Sequence, residues 1–145
     1  MLCFHLYVAS RGMVAAYRPL LAGLGLTYPQ YLVMLALWDS PRPPTVKALG
    51  GQLHLDSGTL SPLLKRLEAA GHLERRRSST DERELEVTLT RQGEVLRDAA
   101  AQIPGQIYAR VGLGSRESRE LVGLLQRLIK HLEGAESRPP DSDQD

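Results

Sequence analysis

What is scarce in this chain narrows the possibilities first. It holds one cysteine, Cys3, in 145 residues, so it can form no disulfide within itself and no cysteine-built zinc site. Its four histidines, His5, His54, His72 and His131, are scattered with none at ligand spacing from another, and each reads as a surface or interface side chain. No metal and no cofactor are therefore expected. No apolar run reaches the length that spans a bilayer. Arg11 and Arg18 interrupt the N-terminal region, which also lacks a small-residue cleavage site. The expectation is neither anchor nor signal peptide, no membrane partner, and a cytoplasmic location. Net charge is small as well, at +1, and argues neither for nor against nucleic acid.

What is present is about one domain's worth of chain, 42% hydrophobic, with its charge unevenly spread. Residues 1–77 carry nine bases (Arg11, Arg18, Arg42, Lys47, Lys65, Arg66, Arg75, Arg76, Arg77) against four acids (Asp39, Asp56, Glu68, Glu74). The end, "EGAESRPPDSDQD", is acidic and has no apolar periodicity, so residues 134–145 are expected to be a disordered tail. A positive excess in one region is what a nucleic-acid site requires, although a solvated charged face has the same composition.

Periodicity predicts a helix over residues 2–18 with Leu2, Leu6, Val8, Ala9, Met13 and Val14 on a broad apolar face, interrupted or kinked at Pro19. Thr27 opens a second helix with Gln30 completing a capping box, and "YLVMLALWD" is apolar on nearly all sides, hence buried. Thr45 caps a short helix with Val46, Leu49 and Leu53 inward. Asp56 or a neighbour caps the next, which places Leu60, Leu63, Leu64 and Leu67 on one face and ends at Gly71. Pro62 is in tension with that helix, which must start later than Asp56 or bend. "HLERRR" and "RELEVTL", joined by the polar "SSTDE", read as a β-hairpin. Thr90 starts a long helix carrying Val95, Leu96 and Ile107, bent at Pro104 and Gly105. Ser115 caps a last helix with Leu121, Leu124, Leu125, Leu128, Ile129 and Leu132 inside.

Two short helices joined by a tight turn, with small polar and basic groups on the outer face of the second, suit the DNA major groove. The hydroxyls of Ser57, Thr59 and Ser61 can bond base edges or phosphates, and Lys65 and Arg66 can neutralise phosphate or read guanine. The hairpin adds a wing. Arg77 lies on its basic strand, and Arg83 at its tip is placed for a narrow minor groove, with Asp81 two residues earlier to orient the guanidinium.

At these residues the chain resembles a family. "LDSGTLSPLLKRLEAAGHLERRRSSTDERELEVTLTRQG" is similar to the winged helix–turn–helix of MarR-type transcriptional regulators, including the acid and base at Asp81 and Arg83. "LCFHLYVASR" and "YRPLLAGLGLTYPQYLVMLALWD" resemble the branch of organic-hydroperoxide-sensing repressors, and the resemblance covers roughly residues 2–110. It implies a mainly α fold with a small β-hairpin wing and a helical dimerisation region from the N- and C-terminal helices. On that reading residues 1–133 form one domain, with the DNA-binding lobe at about 45–89 and dimerisation helices at 1–26 and 91–133. The implied partners are double-stranded DNA at a two-fold-related operator and a second copy of the chain. The resemblance further implies that such a dimer represses a peroxide-detoxification gene until its cysteine is oxidised.

Geometry bears on that cysteine. A lone helical cysteine is most often an inert small hydrophobe. Cys3 and Tyr7 share a face at i,i+4, whereas Tyr17 is roughly 21 Å further along the axis and cannot touch Cys3 of its own chain while the helix persists. An antiparallel partner helix could bring its Tyr17, and then its Tyr28, to Cys3. The resemblance implies this arrangement, a cysteine at a dimer interface accepting hydrogen bonds from the other subunit's tyrosines, with Tyr17 and Tyr28 at the matching positions and Tyr7 nearby. Phenol donors and the helix N-terminus both favour the thiolate, the species that attacks an O–O bond. Oxidation to the sulfenic acid removes the anion and unbalances that network. With no second cysteine, the lasting product is expected to be a mixed disulfide with a low-molecular-weight thiol, or an over-oxidised acid that leaves the protein off DNA.

Two rivals stand beside this. A thiol peroxidase shares the first step but needs a resolving thiol that the chain lacks, and it leaves the winged helix unexplained, so an enzyme is not expected. Alternatively the DNA-binding role holds, the signal is a small aromatic ligand bound between helices, and Cys3 is incidental.

Overall fold

The computed structural model describes residues 1–136. In chain order these form α1 (Leu2–Ala22), α2 (Tyr28–Asp39), α3 (Val46–Leu53), α4 (Ser57–Ala69), β1 (Leu73–Arg77), β2 (Leu85–Leu89), α5 (Arg91–Ala100), α6 (Ile103–Val111) and α7 (Ser115–Glu136). The chain divides into two units, Met1–Ile107 and the part from Tyr108 onward.

In the first unit the helices start where side chains cap them. Thr27 Oγ1 accepts the Gln30 N–H at 3.4 Å while Gln30 Oε1 accepts the Thr27 N–H at 2.9 Å. Thr45 caps α3 through the Ala48 N–H at 3.0 Å, Asp56 caps α4 through the Thr59 N–H at 2.8 Å, and Thr90 caps α5 through the Gly93 N–H at 3.1 Å. Each such cap stabilises its helix by about 1 kcal/mol. The α3–α4 turn depends on a close approach. His54 takes the left-handed conformation at φ 52°, the Leu55 N–H donates to the Gly50 carbonyl at 2.9 Å, and a Cβ on Gly50 would sit 2.9 Å from the Leu55 carbonyl oxygen. Only glycine fits there.

Helix α2 is the centre of the core, with Tyr31, Val33, Met34, Ala36, Leu37 and Trp38 buried. Around it pack Leu49 of α3, Leu60, Leu64 and Leu67 of α4, Leu73 and Val87 of the hairpin, and Ile103. The Trp38 indole N–H donates to the Gly93 carbonyl at 2.9 Å, tying α2 to the start of α5. β1 and β2 pair antiparallel from Leu73 opposite Leu89 to Arg77 opposite Leu85. The Val87 N–H also bonds the Pro44 carbonyl at 2.9 Å, so the segment before α3 forms a third edge. This is the expected mainly α fold with a hairpin wing.

Several boundaries differ from the sequence-based expectation. Helix α1 runs through Pro19 to Ala22, because Leu21 and Leu20 anchor the turn beyond it in the core. Pro19 only withholds a hydrogen bond from the exposed Ala15. Helix α4 does start one residue after its Asp56 cap, at Ser57, as expected, and keeps Pro62 inside on its exposed side. The long helix after Thr90 is two helices, α5 and α6, broken at residues 101–102 rather than bent. Pro104 sits in the first turn of α6, where its missing N–H is tolerated.

In the second unit, α7 is capped by Gly114, not Ser115. The Ser118 N–H donates to the Gly114 carbonyl at 2.9 Å, and the Ser115 hydroxyl instead accepts from the Tyr108 hydroxyl at 2.9 Å. The α7 leucines expected inside are not: Leu121, Leu124, Ile129 and Leu132 are exposed and only Leu125 and Leu128 are half-buried. Helix α7 continues past Gly134 to Glu136, and residues 137–145, the rest of the expected tail, lie outside the described residues.

Candidate functional site

Burying Leu60, Leu63, Leu64 and Leu67 fixes which way α4 faces, and Ser57, Thr59, Ser61, Lys65 and Arg66 are left exposed on its other side. Ser57, Ser61 and Lys65 follow at four-residue steps and so form one row along the helix. Small side chains lie at the start of that row and a long base at its end.

The three arginines that end β1 have different jobs. Arg75 is tied to Glu68 of α4, its guanidinium donating at 2.7 and 3.1 Å and its backbone N–H at 2.9 Å. Those bonds hold the Glu68 carboxyl below the ordinary carboxylate range. Arg76 is occupied by Glu74. Arg77 is exposed and braces the wing, one N–H donating to the Glu82 carbonyl at 2.9 Å. At the tip, Asp81 Oδ1 accepts the Arg83 backbone N–H at 3.0 Å and lies 3.6 Å from Arg83 Nε, so the guanidinium is held by an ion pair and not by a hydrogen bond. The Arg83 side chain is 93% exposed, free to reach a ligand. A cleft of about 450 Å³ between α3, the start of α4 and the wing is lined by Lys47, Ser57, Arg83 and Leu85 among others. Lys47 shares that lining with Arg83, a neighbourhood that the turn between α3 and α4 creates and that their spacing in the sequence does not display.

Cys3 lies in the first turn of α1 and is exposed. The helix is unbroken to Ala22, so Tyr17 of the same chain stays about 21 Å along the axis from Cys3. Tyr17 and Tyr28 are instead brought to each other, ring centroids 4.8 Å apart, with Tyr31 5.7 Å from Tyr17. Burial raises the pKa of all three phenols above 10, and for Tyr17 and Tyr31 neighbouring phenols add to it. They therefore remain O–H donors across the neutral range. Tyr7 is exposed, and its hydroxyl accepts an Arg11 N–H at 3.1 Å. Arg11 was not singled out from the sequence, though the i,i+4 spacing to Tyr7 carried the signal. Among the described residues no three His, Cys, Asp or Glu side chains gather as a metal site would require, and no helix is long and apolar enough to cross a membrane.

Comparison with known proteins bears on this arrangement. Residues 15–100 match the model of the SarA/Rot transcriptional regulator family. Over 132 residues the chain is 47% identical to the organic hydroperoxide resistance transcriptional regulator of Bacillus subtilis, covering 91% of this chain and 87% of that one. It is 35% identical to the transcriptional regulator SarZ of Staphylococcus aureus, covering 88% and 86%. Among solved structures, reduced AbfR bound to DNA superposes with a TM-score of 0.76 at 38% identity, covering 90% of this chain and 91% of that one. Overoxidized AbfR bound to DNA gives 0.75 at 38%, with the same coverage. These relatives are regulators rather than enzymes. The chain belongs to the MarR-type family of winged-helix, DNA-binding transcriptional regulators, in the branch of the organic hydroperoxide resistance regulators.

Proposed function

We propose that the protein is a cytoplasmic homodimeric repressor that binds a two-fold-related DNA site through α4 and the wing and leaves it when an organic hydroperoxide oxidises Cys3. The observation that carries the sensing half is the placement of Cys3: exposed, in the first turn of α1, with Tyr17 far along the same helix and stacked, half-buried, on Tyr28 of α2. A second chain with α1 antiparallel would supply the donors that one chain cannot. Supporting the dimer, Leu2, Phe4, Tyr7 and Val8 on α1 are exposed, and so are Leu121, Val122, Leu124, Ile129 and Leu132 on α7. A soluble chain gains by burying such faces, at about 25 cal/mol per Å².

On DNA, Ser57, Thr59 and Ser61 meet base edges, Lys65 and Arg66 meet phosphate or guanine, and Arg77, Asp81 and Arg83 form the wing contact. The Cys3 thiolate, with Tyr7 beside it and the partner's Tyr17 and Tyr28 donating, attacks the terminal peroxide oxygen. Alcohol leaves and the sulfenic acid remains. Leu2, Phe4 and Leu6 give the site an apolar rim suited to alkyl hydroperoxides. A low-molecular-weight thiol then condenses with the sulfenic acid, releasing water.

The test is an operator-binding titration of wild type and Cys3→Ser, each with and without cumene hydroperoxide and a small thiol. Wild type should lose affinity on oxidation and Cys3→Ser should not. Release of Cys3→Ser by hydroperoxide would overturn the sensing role. Release of both by a small aromatic ligand instead would favour the ligand-responsive reading, for which the cleft beside Lys47 and Arg83 offers a place.

A further inference from the structure

Along α1, Cys3, Tyr7 and Arg11 recur at four-residue steps and form one row. Side chains in a helix lean toward its N-terminus, so Arg11 leans over Tyr7, and Tyr7 lies one turn from Cys3 on the same face. The contact between Arg11 and Tyr7 is explicit. Arg11 Nη1 donates to the Tyr7 hydroxyl at 3.1 Å, and the guanidinium carbon lies 5.6 Å from the ring centroid. The Tyr7 oxygen is thus the acceptor of a charge-assisted bond. A phenol whose lone pair is held by a cation is a stronger hydrogen-bond donor to an anion.

We propose that Arg11 is a positioning residue for the Cys3 thiolate, acting through the Tyr7 hydroxyl. The inference rests on the thiol-sensing reading above. Arg11 holds the Tyr7 ring in place and occupies one side of its oxygen, which leaves the phenolic hydrogen for the sulfur. A direct effect of the guanidinium charge on Cys3 is the weaker route. The two residues are eight apart, about 12 Å along the helix, and exposed charges at that distance are largely screened at physiological salt. What Arg11 does for Cys3 therefore passes through Tyr7. Lysine is a poorer substitute, because it keeps the charge but loses the planar fork that bonds the oxygen and lies over the ring.

The experiment is the pH profile of Cys3 alkylation by monobromobimane in the full-length dimer, for wild type, Arg11→Met, Arg11→Lys, Tyr7→Phe and Tyr7→Phe/Arg11→Met. Arg11→Met should move the midpoint upward and slow alkylation near neutral pH by about threefold, about half a pH unit, with Arg11→Lys in between. In the Tyr7→Phe background, Arg11→Met should add no further shift. A wild-type profile for Arg11→Met, or an equal shift with and without the Tyr7 hydroxyl, overturns the proposal. Should Arg11→Met not form a dimer, Arg11→Lys with an unshifted profile is the overturning result. Failure of the sensing reading shows elsewhere, as hydroperoxide releasing Cys3→Ser from DNA, and the alkylation profiles are read independently of that outcome.

Discussion

Gly93 is a small residue on which three elements converge, and Gly93→Ala should be among the most damaging single changes in the chain. Its N–H donates to the Thr90 cap at 3.1 Å and its carbonyl accepts the Trp38 indole N–H at 2.9 Å. A Cβ there would lie 2.0 Å from the His72 carbonyl oxygen, 3.0 Å from the His72 carbonyl carbon and 3.2 Å from Leu89 Cδ2. The first distance is more than 1 Å inside ordinary contact, and the obstacle is backbone, so α5 must retreat. Overpacking of this kind costs about 1–3 kcal/mol. Retreat also strains the Trp38 bond, and a buried N–H left unsatisfied costs about 1–3 kcal/mol more. Alanine returns up to about 1 kcal/mol in helix propensity. The net expectation is a loss of about 1–6 kcal/mol. Guanidinium unfolding followed by circular dichroism, at one protomer concentration for both proteins because a dimer's stability depends on it, reads this as a lowered midpoint. Gly105→Ala, whose Cβ meets nothing within 4 Å, is the matched control and should unfold at or slightly above the wild-type midpoint. Since His72 leads into β1 and Leu89 ends β2, the displaced helix also presses on the base of the wing, and DNA affinity of the folded variant should fall. A Gly93→Ala protein with the wild-type midpoint and slope would refute the packing described.

Lys65→Ala and Arg83→Ala should each weaken DNA binding and make its salt dependence shallower, whereas Ser57→Ala or Thr59→Ala should blur base preference; unchanged affinity and salt slope in both basic variants would contradict the placement of helix and wing. Tyr17→Phe and Tyr28→Phe should slow Cys3 alkylation at neutral pH more than Tyr7→Phe does, and equal rates throughout would mean the thiol has no phenol donors. Glu68→Gln should destabilise the protein at neutral pH by loosening β1 from α4. Because the Glu68 pKa is lowered in the fold, that contribution is present above its ordinary value of 4.5 and is lost as pH falls through the folded value, so the wild-type and variant unfolding curves should converge in acid. Intact mass spectrometry after one equivalent of cumene hydroperoxide with a small thiol should show a Cys3 mixed disulfide, and a Cys3–Cys3 linked dimer would overturn the antiparallel arrangement.

The parts of this molecule legible in its sequence are those whose cause is local. The Thr27–Gln30 capping box, the Asp56 cap and the strand over Leu85, Val87 and Leu89 rest on residues a few positions apart, and each is in place, although Leu85 is exposed. What was not legible depends on partners far along the chain or outside it. Arg75 looked like one more base in a basic strand, but Glu68 neutralises it. Gly93 looked like an ordinary glycine in a helix start until His72, Leu89 and Trp38 arrived around it. Pro19 read as an interruption or kink because its local cost is plain and the anchoring of Leu21 is not. The α7 leucines read as core because periodicity shows which face is apolar and cannot show whether the covering surface is in the same chain.

The single cysteine also constrains how oxidation can reach the DNA-binding face. Among the structures this chain superposes on is a disulfide-formed AbfR, with a TM-score of 0.62 at 35% identity. That route needs a second sulfur, which here must come from outside the chain. Overoxidized AbfR, by contrast, has been solved bound to DNA. Adding oxygen to a sulfur is a small change in volume and, in the sulfinic or sulfonic acid, restores a negative charge that phenol donors can still serve. On that chemistry alone, an over-oxidised Cys3 should leave the proposed interface nearly as the thiolate does, contrary to the expectation that it keeps the protein off DNA. In the proposed dimer a mixed disulfide would remove the charge and insert a whole small molecule beside Leu2, Phe4 and the partner's tyrosines, and a packed interface does not yield continuously. The adduct, rather than the oxidation state, is then the releasing signal. Operator binding by Cys3 converted wholly to the sulfonic acid, set beside the same protein carrying a small-thiol disulfide, separates the two. Equal loss of affinity in both forms would return the signal to oxidation itself.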